Sequence, residues 1–201
     1  MLTTKEAIEK RRSIRRFKSD PIPNEYLSEL LNAARLAPSG CNAQPWRFRI
    51  VVEQATKSEL AHAAYDQTFI SEAPVILVCC ANISGYLGGT VSGVQDLGKI
   101  GAAENRIVDI LIKRTDQLKL CPIEQLGPQI AFNVAIAIEH IVLRALDFGL
   151  GTCWIRLFDG HKIKGLFGWD ENIFPVALLP IGYPEEYPAP RKRMKIEEIL
   201  I

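Results

Sequence analysis

Residues 10 to 18 read Lys10-Arg11-Arg12-Ser13-Ile14-Arg15-Arg16-Phe17-Lys18, so six of nine are cationic in a chain whose formal net charge is +1. A hydroxyl and a branched apolar residue separate the paired arginines, at the end of a short helical stretch rather than in a tail. Arginine forks with a serine donor between them suit a compact phosphate, which they hold by charge-assisted, bidentate hydrogen bonds. A basic run is also what a solvated helix face carries. A second run weighs against that bland reading: Arg191-Lys192-Arg193, with Lys195, follows Pro188 and Pro190, so both ends of the chain concentrate positive charge. If the ends meet, two sets of forks converge on one anion.

At 201 residues and 48% hydrophobic content, the chain is expected to be one domain, 1–201, burying about 70% of its unfolded surface. The near-zero net charge argues against a nucleic-acid partner, because covering many phosphates needs an extended basic face. One or two phosphates is the better scale. The first residues carry no apolar signal core, and Thr3 with Glu6 has capping-box spacing, so a cytoplasmic protein is expected. Cys41, Cys79, Cys80, Cys121 and Cys153 include no Cys-x-x-Cys pair, and reduced core thiols are the default. His62, His140 and His161 are scattered with no carboxylate at ligand spacing, so no metal site is expected.

Stepping along the elements that must position these residues, Tyr26, Leu27, Leu30, Leu31 and Ala34 have the period of a helix between Pro23 and Pro38. Phe48 to Val52 reads as a strand, Thr56 with Glu59 opens a short helix, and Pro74 to Ala81 reads as a fully buried strand. A long apolar helix runs from Gln129 to Phe148, capped by Gly149. Asn133, Glu139, His140, Arg144 and Asp147 interrupt it too often for a bilayer span, so it belongs in a core or at a dimer interface and no membrane partner is expected. Strand Thr152 to Arg156, a helix from Asp159 to Phe167 and strand Phe174 to Ile181 follow. Residues 82–128 are glycine-punctuated and read as irregular before a helix near Asn105 to Lys113, which suggests a mobile cover. Neither Gly-x-Gly-x-x-Gly after a strand nor a Gly-Lys-Ser/Thr loop is present.

Pro38-Ser39-Gly40-Cys41-Asn42-Ala43-Gln44-Pro45-Trp46-Arg47-Phe48 lies between the first long helix and the first strand. Together with Arg11-Arg12-Ser13-Ile14-Arg15, Gly149-Leu150-Gly151-Thr152-Cys153-Trp154-Ile155, Gly182-Tyr183-Pro184 and Pro190-Arg191-Lys192-Arg193, in that order along the chain, it resembles the nitroreductase family. The resemblance implies an α+β, three-layer fold with a central, mostly antiparallel sheet flanked by helices, built as an intertwined homodimer with FMN bound at two shared sites. It makes 82–128 an active-site cover and 183–201 a C-terminal arm. By the same resemblance, Arg11, Arg12, Ser13 and Arg15 form the first flavin-binding segment. Arg15 would stabilise charge gathering at N1 and O2 of the reduced ring, while Arg191 and Arg193 clamp the phosphate. Pro38, Ser39, Gly40, Asn42 and Gln44 would come from the other subunit to meet the ribityl chain and ring. Ile155 and Arg156 would offer backbone N–H groups near N5 and O4. Taken as bare sequence, Pro38-Ser39-Gly40 is equally a helix stop with a turn, and Trp46 and Trp154 are more often core than cofactor contacts.

The activity implied is hydride transfer from NADH or NADPH through flavin N5 to a small, flat electrophilic acceptor such as a nitroaromatic or quinone, with ping-pong kinetics. The flavin supplies the chemistry, so no catalytic side chain is named. Two alternatives stay open: a specialised enzyme of the same fold, such as a reductive dehalogenase, and a flavin- or nucleic-acid-binding protein without turnover.

Overall fold

Thr3 opens the first helix, α1 (Thr4–Lys10), with the capping box its spacing predicts: its hydroxyl accepts from the Glu6 amide while the Glu6 carboxylate accepts from the Thr3 amide. The structure is a computed structural model and describes residues 1–201. Helix α2 (Asn24–Arg35) follows, buried through Leu27, Leu30 and Ala34 as its apolar period requires.

Four strands form one antiparallel sheet in the order β1-β2-β4-β3: β1 (Trp46–Val51), β2 (Val75–Asn82), β3 (Gly151–Thr152) and β4 (Ile173–Gly182). Strand β2 lies in the middle, pairing Phe48 with Cys79 on one side and Leu77 with Leu179 on the other. Its side chains alternate between faces. Leu77, Cys79 and Ala81 join the larger core beneath α2 and α7 (Ile123–Ala145), whereas Ile76, Val78 and Cys80 join a smaller core. That second core lies under α3 (Gln54–Ala63), α4 (Phe69–Glu72) and α8 (Gly160–Phe167), through Leu60, Ile70 and Ile163. Helices therefore cover both faces of the sheet, as expected of a three-layer α+β protein. Having a core on both sides explains why β2 reads as an unbroken apolar run.

Several boundaries differ from the sequence expectations. Glu53 occupies the N-cap of α3, so Thr56 and Glu59 lie within the helix and form no capping box. The strand expected over Thr152 to Arg156 shortens to β3 and a single bridge from Ile155 to Leu178. Helix α7 begins at Ile123, six residues before the expected start at Gln129, and runs through Gly127-Pro128. Gly127 is there for packing: a Cβ on it would lie 2.3 Å from the Phe174 ring.

The largest correction concerns 82–128. Its first part is not irregular but forms α5 (Ile83–Lys99), packed on α6 (Asn105–Leu118), which is the helix expected near Asn105 to Lys113. Gly85, Gly88, Gly89, Gly93 and Gly98 lie inside α5, and at Gly89 and Gly93 the helix approaches the backbone of the 40–44 turn. A Cβ on Gly93 would fall 1.6 Å from the Cys41 carbonyl oxygen, and one on Gly89 would fall 2.5 Å from that of Ala43.

Candidate functional site

On leaving α1, the chain is stitched beside the β3 and β4 ends. The Ile14 amide donates to the Thr152 carbonyl at 2.9 Å, the Lys18 amide to Tyr183 at 2.9 Å, and the Glu185 amide to the Arg16 carbonyl at 2.9 Å. Ile14 and Phe17 turn inward and are buried, which forces the charged residues around them outward. The same pairing brings the segment after Gly182 alongside, so the two basic runs arrive at one place. Arg11, Arg12, Ser13, Arg15, Arg191 and Arg193 all line a single cavity of about 360 Å3, closed on one side by Pro188 and Pro190.

The cavity is electrostatically one-sided. Glu9 is its one acidic lining residue, and Glu9 is already near Lys5 at 3.9 Å. None of the five arginines takes part in an ion pair. Arg12 is held in place by carbonyls instead, its Nη1 donating to Glu9 O at 2.8 Å and Arg11 O at 2.7 Å. The Arg15 amide donates to Glu186 Oε1 at 2.6 Å, tying the N-terminal segment to the arm. Unpaired guanidinium groups gathered on a small concavity, with a serine hydroxyl among them, form a donor set for a phosphate.

The second expected group lies elsewhere on the chain. Pro38, Ser39, Gly40, Asn42 and Gln44 belong to a tight turn between α2 and β1, and none of them lines the arginine cavity. The turn is strained and heavily braced. Cys41, Asn42 and Gln44 have φ of 51°, 51° and 48°, a left-handed region that costs a side-chain-bearing residue free energy and is retained where surroundings enforce it. The Gln44 amide donates to Ser39 Oγ at 3.0 Å, and the Gly40 amide donates to Asn133 Oδ1 at 3.0 Å. Asn133 is fully buried in α7, with its Nδ2 donating to the Ile130 carbonyl at 3.2 Å. Sequence reading gave Asn133 no role; the available signal was an amide inside an otherwise apolar helix, which at full burial must have a partner.

Ile155 and Arg156 divide. The Ile155 amide donates to the Leu178 carbonyl at 3.0 Å and its side chain is buried, so Ile155 has no N–H to offer a ligand. Pairing to β4 takes it. Arg156 is exposed, and its amide makes no hydrogen bond within the chain.

A further cavity of about 460 Å3 opens between α5, α6 and α7, with Gly40 and Cys41 in its wall. Burial pushes the Cys41 thiol up, and the Arg114 guanidinium draws part of that shift back. Cys79 is raised further, and burial pushes Cys80 up to about 12, so these core thiols stay protonated and inert. No group of His, Cys, Asp or Glu side chains is arranged to hold a metal ion.

An antiparallel sheet between two helical layers, with a cationic phosphate-sized cavity where both chain ends meet, defines the class: an α+β protein with a built anion site. The sequence profile of the nitroreductase family matches residues 8–183, and the chain belongs to that family. It is 32% identical to an NADH dehydrogenase of Thermus thermophilus, over all of this chain and 96% of that protein. It is 27% identical to an iodotyrosine deiodinase of Thermotoga neapolitana, over 96% of this chain and 92% of that one. The fold is shared with an Exiguobacterium sibiricum protein whose crystal structure contains FMN, at a TM-score of 0.79 and 23% identity over all of this chain and 97% of that one.

Proposed function

We propose that this chain is a cytoplasmic, FMN-dependent NAD(P)H oxidoreductase acting as a homodimer on flat electrophilic acceptors such as nitroaromatics and quinones, by a ping-pong cycle. The observation that carries it is the convergence of Arg11, Arg12, Arg15, Arg191 and Arg193, free of ion pairs, on one cavity. That donor set fits the phosphate of FMN. When bound, FMN supplies the redox chemistry, accepting a hydride equivalent from NADH or NADPH and returning the electrons to the acceptor. The chain's own work is to bind and orient. Arg11, Arg12, Ser13, Arg191 and Arg193 hold the phosphate, and Arg15 places a cation to favour the reduced, anionic state. Arg156 offers its free amide. Helix α5, packed on the 40–44 turn, and α6 beside it would shield from water a flavin ring that this turn meets.

The separation of the two residue groups supports the homodimer. One chain carries the arginine cavity and the Ser39–Gln44 turn at different places, so a second copy is needed to bring a turn over each cavity. Exposed Met194, Ile196, Ile199 and Leu200 on the arm, and Phe132 on α7, support this as apolar surface awaiting a partner. Similarity to an iodotyrosine deiodinase favours reductive dehalogenation as a second reading. Against it, no carboxylate lines the 460 Å3 cavity to meet the ammonium of a halotyrosine.

The absorbance spectrum of the purified protein, followed by anaerobic NADH and NADPH, tests the reading. A yellow protein bleached by at least one nicotinamide is expected. Flavin that neither donor bleaches would sink the oxidoreductase, and halotyrosine turnover outrunning nitroaromatic turnover would favour the dehalogenase.

A further inference from the structure

The geometry points to the cavity between α5, α6 and α7 as the acceptor pocket, selecting a flat apolar molecule that carries one carboxylate, with Arg114 as the anchor for that charge and Thr90 as a neutral hydrogen-bond partner. This rests on the flavin oxidoreductase reading and names its substrate class. The cavity, about 460 Å3, has room for one aromatic ring and its substituents. Leu111, Leu118, Leu126 and Ile130 give it apolar walls, while Tyr86 and Phe132 add aromatic ones. Its wall at Gly40 and Cys41 is the turn proposed to meet the flavin, so a ligand here lies beside that turn.

Thr90 carries the one buried polar side-chain atom without a partner, and Arg114 stands exposed at the edge of the same cavity. Thr90 is 6% exposed, and its Oγ1 is buried without any hydrogen bond. A buried hydroxyl in that condition is costly and calls for a ligand or water to complete it. Thr115, by contrast, spends its hydroxyl on the Leu111 carbonyl at 2.9 Å. Arg114 makes no ion pair, and Asp116, on the same helix, is taken by Lys119 at 2.7 Å. With no Asp or Glu in the lining, a carboxylate on the ligand is the charge that complements Arg114, and an ammonium is rejected.

The test compares kcat/KM of the holoenzyme for 4-nitrobenzoate and nitrobenzene, which differ by the carboxylate. In Arg114→Ala, the ratio of the two should fall by about fivefold through KM, the upper end for a solvent-exposed ion pair. Arg114→Lys should keep most of the preference. Lys113→Ala, an exposed neighbour, should leave the ratio within about twofold of the unmutated enzyme, as surface substitutions do. Calorimetric titration with benzoate reads the same contact without turnover. An Arg114→Ala ratio equal to that of the unmutated enzyme, or equal benzoate affinity in the two, would overturn the inference. A protein that holds no flavin fails the oxidoreductase reading instead; the benzoate titration separates the two failures.

Discussion

Five arginines around one small cavity repel each other, and a fold that keeps them together without carboxylate partners needs an anion to relieve the strain. That makes them separable experimentally. Replacing Arg11 or Arg193 with alanine should weaken FMN binding by about 1.5–3 kcal/mol, the value of a charged hydrogen bond. Quenching of FMN fluorescence on titration measures it, and unchanged affinity in both variants would return these residues to ordinary surface charge. Asn133 acts at the same scale by a different route. Asn133→Leu keeps the volume of a fully buried side chain but leaves the Gly40 amide without its acceptor, at a cost of about 1–3 kcal/mol. In a domain of this length each kcal/mol lowers Tm by about 2–4 °C, so thermal unfolding should drop by several degrees.

Among the elements, α5 decides where the 40–44 turn lies. Its glycines let a helix approach a strained backbone more closely than any other residue type allows. Gly93→Ala would place a methyl 1.6 Å from the Cys41 carbonyl oxygen, so either the turn or the helix must move. A stability loss of about 1–3 kcal/mol is expected from such overpacking, accompanied by weaker FMN binding. Gly88→Ala is the matched control in the same helix. Nothing lies within 4 Å of its added methyl, so it should stabilise α5 by about 0.5–1 kcal/mol through the better helix propensity of alanine. Denaturant melts of the two variants should therefore move in opposite directions. If both moved together, propensity rather than close approach would explain the glycines.

At the level of the whole molecule, the arm after Pro184 is the least self-sufficient part of the chain. Ile196, Ile199 and Leu200 are 70%, 65% and 70% exposed, an arrangement that is unfavourable for a lone subunit. Full burial of such a side chain contributes about 1.5–3 kcal/mol. The chain should therefore sediment at twice its mass of 22.4 kDa, and a variant with Ile196, Ile199 and Leu200 all changed to aspartate should sediment as a monomer. That monomer should lose FMN while keeping its helical circular dichroism, because the arm contributes nothing to either core cluster. A dimeric triple variant would place the interface elsewhere.

Local pattern was enough to make several elements and the basic runs legible. A helical apolar period marked α2, an unbroken apolar run marked β2, a threonine and a glutamate at capping distance marked α1, and charge density marked Arg11 to Arg15 and Arg191 to Arg193. Three matters were decided by tertiary structure. Gly89 and Gly93 looked like loop residues because their low helix propensity is visible in one dimension, whereas the backbone of Ala43 and Cys41 that requires them is not. Ile155 looked free to present its amide until β4 proved to occupy it. The basic ends themselves were also compatible with solvated charge. Pairing of Ile14 with Thr152 and of Lys18 with Tyr183 brings residues from opposite ends of the chain to one cavity, a long-range hydrogen-bond register that no local spacing encodes.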